Sequence, residues 1–246
     1  MKPKIVIISG LTASGKTALS IALAQQFQAE IISADSRQVY RGLDIGSAKI
    51  TKDEMQGIAH HCLDIVDPIT NTHYSVGDFQ RDAYQAIDAI IAHGKLPILV
   101  GGTGLYTRSV AEGYGFGDEP NCPRYHVLQI CLTPPNTILA PKVKQRNTER
   151  VAQGMFDETR NLLTAGVSSD FLYKLGLEYR LNVRYLNGEI DLDTYYDELY
   201  HQTMQFIKRQ RTWYRKENPA YTHYLTNPAT YLAEAEKLIK NFWQSN

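Results

Sequence analysis

Ile5-Val6-Ile7-Ile8-Ser9-Gly10-Leu11-Thr12-Ala13-Ser14-Gly15-Lys16-Thr17 is the stretch on which the fold turns. Its β-branched run stops at a serine and a glycine, the pattern of a short strand buried on both faces of a parallel sheet. Gly10 to Thr17 then match G-x-x-x-x-G-K-[ST] in full. The residues that follow, with Leu19, Ile21, Ala22, Leu23 and Phe27, carry an apolar helical face. Strand, loop and helix in that order curl backbone N–H groups around an anion at a helix N-terminus. Gly10 and Gly15 free the backbone to curl, so that Thr12, Ala13, Ser14 and Gly15 wrap phosphate oxygens. Lys16 adds a mobile cation, and the Thr17 hydroxyl is placed to ligate Mg²⁺.

Farther along, Glu30-Ile31-Ile32-Ser33 reads as a second strand and Phe79 to His93 as an amphipathic helix with Ala83, Ile87, Ile90 and Ile91 inward. Leu96 to Val100 is another buried strand, cut off by Gly101-Gly102, and Val127 to Leu132 is one more. Strands alternating with helices predict an α/β fold, a P-loop NTPase-like parallel sheet core over residues 1–135. Residues 113–124 read as an irregular connection. From Leu139 the pattern is helical and charged near 139–165, 170–186, 192–217 and 228–243. Residues 136–246 are therefore expected to form a mainly helical portion packing on the core and contacting the acceptor.

Composition narrows the function classes. Lys plus Arg (26) equals Asp plus Glu (26), which excludes a uniformly basic nucleic-acid coat but leaves room for a local patch. No apolar run approaches the roughly 18 residues of a membrane span. The run before Ser9-Gly10 is also too short for a signal peptide. Cys62, Cys122 and Cys131 form no CxxC pair and leave an odd count, so neither a disulfide framework nor a zinc knuckle is expected. A reduced, cytoplasmic chain is the expectation. Adjacent His60 and His61 rarely share one ion and read as loop supports.

The loop alone does not name its polyphosphate. An NTPase or nucleotide kinase also needs an apolar strand ending in Asp to hold Mg²⁺ through water. Here Leu96 to Val100 ends in Gly101-Gly102-Thr103-Gly104, with no acid, which weakens the triphosphate reading. Asp35, just after the second strand, is the carboxylate best placed to reach the loop.

Asp35-Ser36-Arg37-Gln38-Val39-Tyr40-Arg41-Gly42-Leu43-Asp44-Ile45-Gly46-Ser47-Ala48-Lys49 is a polar turn of the kind that meets substrate in a parallel α/β sheet. It closely resembles a signature of the tRNA dimethylallyltransferase family. Further likenesses are His60 to Pro68, Tyr74-Ser75 with Phe79, Gly94 to Tyr106, and the octamer Lys208-Arg209-Gln210-Arg211-Thr212-Trp213-Tyr214-Arg215. The resemblance implies transfer of a dimethylallyl group from dimethylallyl diphosphate to the exocyclic amine of an adenosine beside the tRNA anticodon. The phosphate loop would then hold the donor diphosphate, and no strand-end Asp is required. The resemblance further implies Arg146 as a diphosphate-binding arginine, with Lys142 one turn before it, and Asp35 as general base. Thr103 would orient the reacting groups, and Ser36, Arg37 and Gln38 would meet the acceptor. Each role has a plainer counterpart: Asp35 as a turn cap, Arg146 as a solvated helix residue, Thr103 as part of a structural turn.

For the acceptor, Lys208, Arg209, Arg211, Arg215 and Lys216 are interleaved with Trp213 and Tyr214, with Gln210 and Thr212 among them. Such a mixture suits an RNA loop, where phosphates take the charge and splayed bases stack; a solvated helix face is the bland alternative. Family members carry a helical insertion that grips the anticodon stem, and Tyr106 and Arg146 lie too close in sequence to hold it. The family's G-Y-[KR]-[EQ] turn survives only as Gly176-Leu177-Glu178-Tyr179, and Met204 replaces a usual arginine. Related short enzymes prenylate free adenine nucleotides, which is the rival reading. The expected partners are a tRNA anticodon stem-loop and dimethylallyl diphosphate, with no membrane, acting as a monomer.

Overall fold

The β-branched run forms strand β1 (Lys4–Gly10), and helix α1 (Lys16–Phe27) starts at the loop lysine. A computed structural model describes residues 2–244. The chain continues through β2 (Ala29–Ser33), α2 (Lys52–Met55), β3 (His60–His61), α3 (Val76–Ala92), β4 (Leu96–Gly101), α4 (Gly104–Glu112) and β5 (His126–Leu132). Then follow α5 (Asn136–Ala152), α6 (Met155–Thr164), α7 (Ser169–Leu175), α8 (Leu177–Leu186), α9 (Leu192–Tyr214), β6 (Thr222–Leu225) and α10 (Tyr231–Gln244).

The strands form one 6-stranded sheet in the order β3-β2-β4-β1-β5-β6, and every pairing is parallel. Alternate residues of β1 supply two cores, as a pleated strand requires. Val6 and Ile8 pack with Leu19, Leu23, Ile98, Ile130 and Ile239 under α1 and α10. Ile5 and Ile7 pack with Ile32, Phe79, Ala83, Ile87, Leu99 and Val110 under α3 and α4. Because β4 lies between β1 and β2, the loops that follow these three strands emerge side by side. Crevices at the C-terminal ends of parallel strands are where such sheets bind ligands.

Two strands escape the sequence pattern. His60-His61 is a short edge strand on β2 rather than a plain loop support, and β6 extends the sheet beyond β5. Both are too short for a period-2 signal, and β6 leaves His223 and Tyr224 exposed. The predicted helix over 139–165 is broken at Gly154 (φ 98°), and that over 170–186 at Gly176 (φ 72°). A left-handed glycine ends one helix and lets the next start at a new angle.

Candidate active site

Above the C-terminal edge of the sheet lies a cleft of about 1460 Å³. Its walls include Thr12 to Thr17 on one side, Asp35 to Gln38 and Gly101 to Gly104 on another, and Lys142, Arg146 and α9 across from them.

The phosphate loop takes the shape its sequence demands. Gly10 has φ 134°, and a Cβ there would lie 2.3 Å from the Leu132 carbonyl oxygen, so only glycine fits against β5. The Ser14 Oγ is buried in the cradle and has no hydrogen-bond partner. A buried hydroxyl without a partner is costly, and a phosphate oxygen would satisfy it. Lys16 folds back to donate from Nζ to the carbonyls of Gly10 (3.1 Å) and Leu11 (2.8 Å). Burial, and then the nearby Arg146 guanidinium, lower its pKa to about 8. Arg146 is itself lowered to about 10, by burial and then by Arg150. It makes no hydrogen bond or ion pair with the described residues. Two strained cations therefore line one cavity with no protein anion paired to them, which is the electrostatics of an anion site.

Asp35 accepts from the Arg37 N–H (2.9 Å) through one carboxylate oxygen. The turn-cap role is thus present, and the other oxygen remains unbonded at the cleft wall. Thr103 Oγ1 accepts from the Ser36 N–H (3.1 Å), joining the turns after β2 and β4. Gln38 and Arg37 reach the cleft wall but are occupied. The Gln38 amide accepts from Ser33 Oγ (3.0 Å) and donates to the Ala48 carbonyl (3.2 Å). Arg37 pairs with Glu178 (2.7 Å) and donates to the Leu175 carbonyl (3.0 Å). These contacts shape the turn and hold both side chains at the cleft wall, where the sequence expects them to meet the acceptor.

The octamer also divides. On α9, Gln210 and Tyr214 are buried at the same helical face as Ile207. Arg211 donates to the Pro134 carbonyl and to Asn136 Oδ1, both at 3.0 Å. Trp213 is half-buried, with the Arg108 guanidinium 4.3 Å from its ring centroid. These four pack or brace α9, and Gln210, Trp213 and Tyr214 also line the cleft. Lys208, Arg209, Thr212 and Arg215 are exposed, and Arg209 alone of these lines the cleft.

The sequence model of the IPP transferase family matches residues 38–123 and 115–217. The chain belongs to the IPP transferase family. A tRNA dimethylallyltransferase of Streptococcus gordonii is 35% identical over 296 aligned positions, covering 98% of this chain and 99% of that protein. One from Geobacillus thermodenitrificans is 31% identical, covering 98% and 96%. The solved tRNA isopentenylpyrophosphate transferase of Bacillus halodurans superposes with a TM-score of 0.88 at 30% identity, covering 98% of this chain and 96% of that one.

Within the IPP transferase family this chain is compact. The Streptococcus alignment runs to 296 positions against 246 residues here, so that relative carries segments this chain lacks. The two matched stretches meet at 115–123, inside the irregular connection between α4 and β5.

This IPP transferase also holds the turn after β2 with groups the sequence reading missed. Glu158 accepts from the N–H groups of Asp44 (2.9 Å), Ile45 (2.5 Å) and Gly46 (3.0 Å), and from the Tyr179 hydroxyl (2.9 Å). Glu178 bridges Arg37 and Arg150, and Arg150 donates to the Gly46 carbonyl (2.9 Å). Burial alone would raise the Glu178 carboxyl, but Arg150 and Arg37 overcome it and hold it at about 2. The available signal was the spacing of Lys142, Arg146 and Arg150, which stacks three like charges on one helix stripe and calls for an anion.

Glu178→Gln should destabilise the fold by about 3 kcal/mol, because it leaves two guanidinium groups inside without their charge partner. Urea unfolding measures it. The depressed carboxyl adds stability that is complete above the usual carboxylate range and is lost as pH falls toward about 2. The wild type should thus lose this increment on acidification and the Gln variant should not.

Proposed function

We propose that this chain transfers a dimethylallyl group from dimethylallyl diphosphate to the exocyclic amine of an adenosine beside the tRNA anticodon, releasing diphosphate. The observation that carries this reading is the pair of cations without a paired carboxylate, Lys16 and Arg146, lining one cleft with the free oxygen of Asp35. The amine nitrogen attacks the allylic carbon that bears the diphosphate. The C–O bond breaks, the diphosphate keeps its electron pair, and the amine proton passes to Asp35. The Gly10–Thr17 loop, Lys16 and Arg146 bind the leaving group, and preorganised charge of this kind is usually the largest catalytic term. Thr103 fixes the turn that carries Asp35.

Thr17 sits on the cleft wall, and its hydroxyl makes no hydrogen bond with the described residues. No cluster of three acidic, His or Cys side chains suited to a metal occurs among those residues. The unbonded Thr17 hydroxyl is an oxygen ligand of the kind Mg²⁺ favours, and that ion commonly takes most of its other ligands from substrate phosphates and water. Bound there beside Thr17, it would supply further charge neutralisation to the diphosphate.

Two kinds of support favour tRNA over a free adenine nucleotide. The aligned relatives are named for tRNA, and the exposed Lys208, Arg209 and Lys216 line a cationic groove beside the cleft. No helix among the described residues is long and apolar enough to cross a membrane. The chain is proposed to act as a monomer in the cytoplasm on an anticodon stem-loop. With dimethylallyl diphosphate and Mg²⁺, nucleoside mass spectrometry should find modified adenosine in tRNA. Modified AMP beside untouched tRNA would hand the case to the free-nucleotide reading.

Lys208→Ala with Arg209→Ala should raise KM for tRNA about tenfold and lower the log–log salt slope by about 1.4. KM for a free nucleotide should stay put. Arg211→Ala should act alike on both acceptors, because that side chain braces the β5–α5 turn. Equal effects of the double variant on both acceptors would remove α9 from the RNA interface.

A further inference from the structure

Gln210 lies buried on α9 between the two loops that meet substrate. Its Oε1 accepts from the Thr12 N–H (2.9 Å) in the phosphate loop, and its Nε2 donates to the Gly102 carbonyl (3.0 Å) in the turn after β4. A Cβ on Gly102 would come within 2.9 Å of that Nε2, so the turn is pressed directly onto the amide. One neighbour is an obligate donor and the other an obligate acceptor, so the amide has only one orientation that satisfies both. Gly102 is followed by Thr103, whose Oγ1 accepts from the Ser36 N–H beside Asp35. A continuous chain of contacts thus runs from the diphosphate loop, through one side chain, to the turn that bears Asp35.

We propose that Gln210 is a positioning residue that sets the separation between the diphosphate loop and the Asp35–Thr103 turn. The inference rests on the reading above, in which one loop binds the donor and the other turn activates the acceptor. Both polar ends of the Gln210 amide are spent on the two loops, on the Thr12 N–H and the Gly102 carbonyl. Its effect falls on the distance between them, to which displacement reactions are steeply sensitive: a misplacement of about 1 Å can cost 10²-fold. The N–H groups of the loop beyond Thr12 stay with α1, so donor binding is largely independent of the amide.

Gln210→Met keeps the bulk and removes both hydrogen bonds. It should lower kcat at least about tenfold while donor Kd, by calorimetry, changes less than about threefold. Gln210→Glu gives a sharper readout. Ionised, it still accepts from Thr12 but turns an anion on the Gly102 carbonyl. Protonated, it restores the donor. The ratio of its kcat to wild type should therefore climb as pH drops from about 8 to about 5.5, towards the carboxylic acid range. Recovery within one folded sample cannot come from refolding, which separates positioning from simple stability. A Met variant within twofold of wild type, a loss that tracks donor Kd, or a flat Glu-to-wild-type ratio would each overturn the proposal. An inactive wild type would instead sink the prenyl-transfer reading itself.

Discussion

Asp35→Ala should cut turnover by about 10²–10⁴ while donor affinity stays within about threefold. The exocyclic amine of adenine is a poor nucleophile, and its proton must leave as the new C–N bond forms. Among the carboxylates at the cleft, Asp35 combines a turn-fixed backbone with one oxygen left unbonded. The alanine variant alone confounds two roles, since it also removes the bond to the Arg37 N–H. Asp35→Asn separates them: the amide oxygen can still accept from Arg37, but the base is gone. Both variants should therefore be equally slow under single-turnover conditions. Near-normal turnover in the Asn protein would leave Asp35 as a turn cap and move the base elsewhere.

Lys16→Met should weaken donor binding and lower kcat together, each by about 10²-fold, in line with losing a preorganised charge from a leaving-group site. The free protein carries Lys16 under tension, desolvated and facing Arg146, with its pKa lowered to about 8. Removing the charge should then leave the Tm of the free chain unchanged or higher, while the rise in Tm that the donor normally gives disappears. The pH profile follows with a definite sign. Below about 8 the ammonium is present to meet a diphosphate; above it the free protein loses the proton, so donor affinity should fall as pH rises. Lys16→Arg should flatten that decline. A donor Kd unchanged in the Met variant would remove Lys16 from the phosphate site.

The phosphate loop and the sheet around it were readable because local sequence dictates them. Gly10 to Thr17 must curl wherever a buried strand delivers them to a helix, and Ile5 to Ile8 have no plausible home outside a sheet interior. The octamer was harder. Its cations and aromatics look like one RNA-facing surface when counted together. A period of 3.6 places Gln210 and Tyr214 inward with Ile207, and leaves Lys208, Arg209 and Thr212 outside. The helical period was legible there, and composition obscured it. Glu158 was a different matter. Its partners are backbone N–H groups of Asp44, Ile45 and Gly46, distant in sequence, and backbone donors leave no residue pattern to search for. Gln38 and Arg37 lie between these cases: polar residues in a substrate-lining turn do reach the cleft, but tertiary partners claim their hydrogen bonds first.

The connection between α4 and β5 has a consequence for how such enzymes diversify. The Cys122 N–H donates to the Gly113 carbonyl at 2.7 Å, so the two feet of this loop already touch. Anything spliced between them enters and leaves the scaffold at one point, and lengthening a loop with fixed ends adds only about 0.6 kcal/mol of closure entropy per doubling. A lineage can therefore gain or shed a whole accessory arm at this hinge without re-registering a single strand, which makes the site a natural port for grafting new recognition modules onto an unchanged catalytic base.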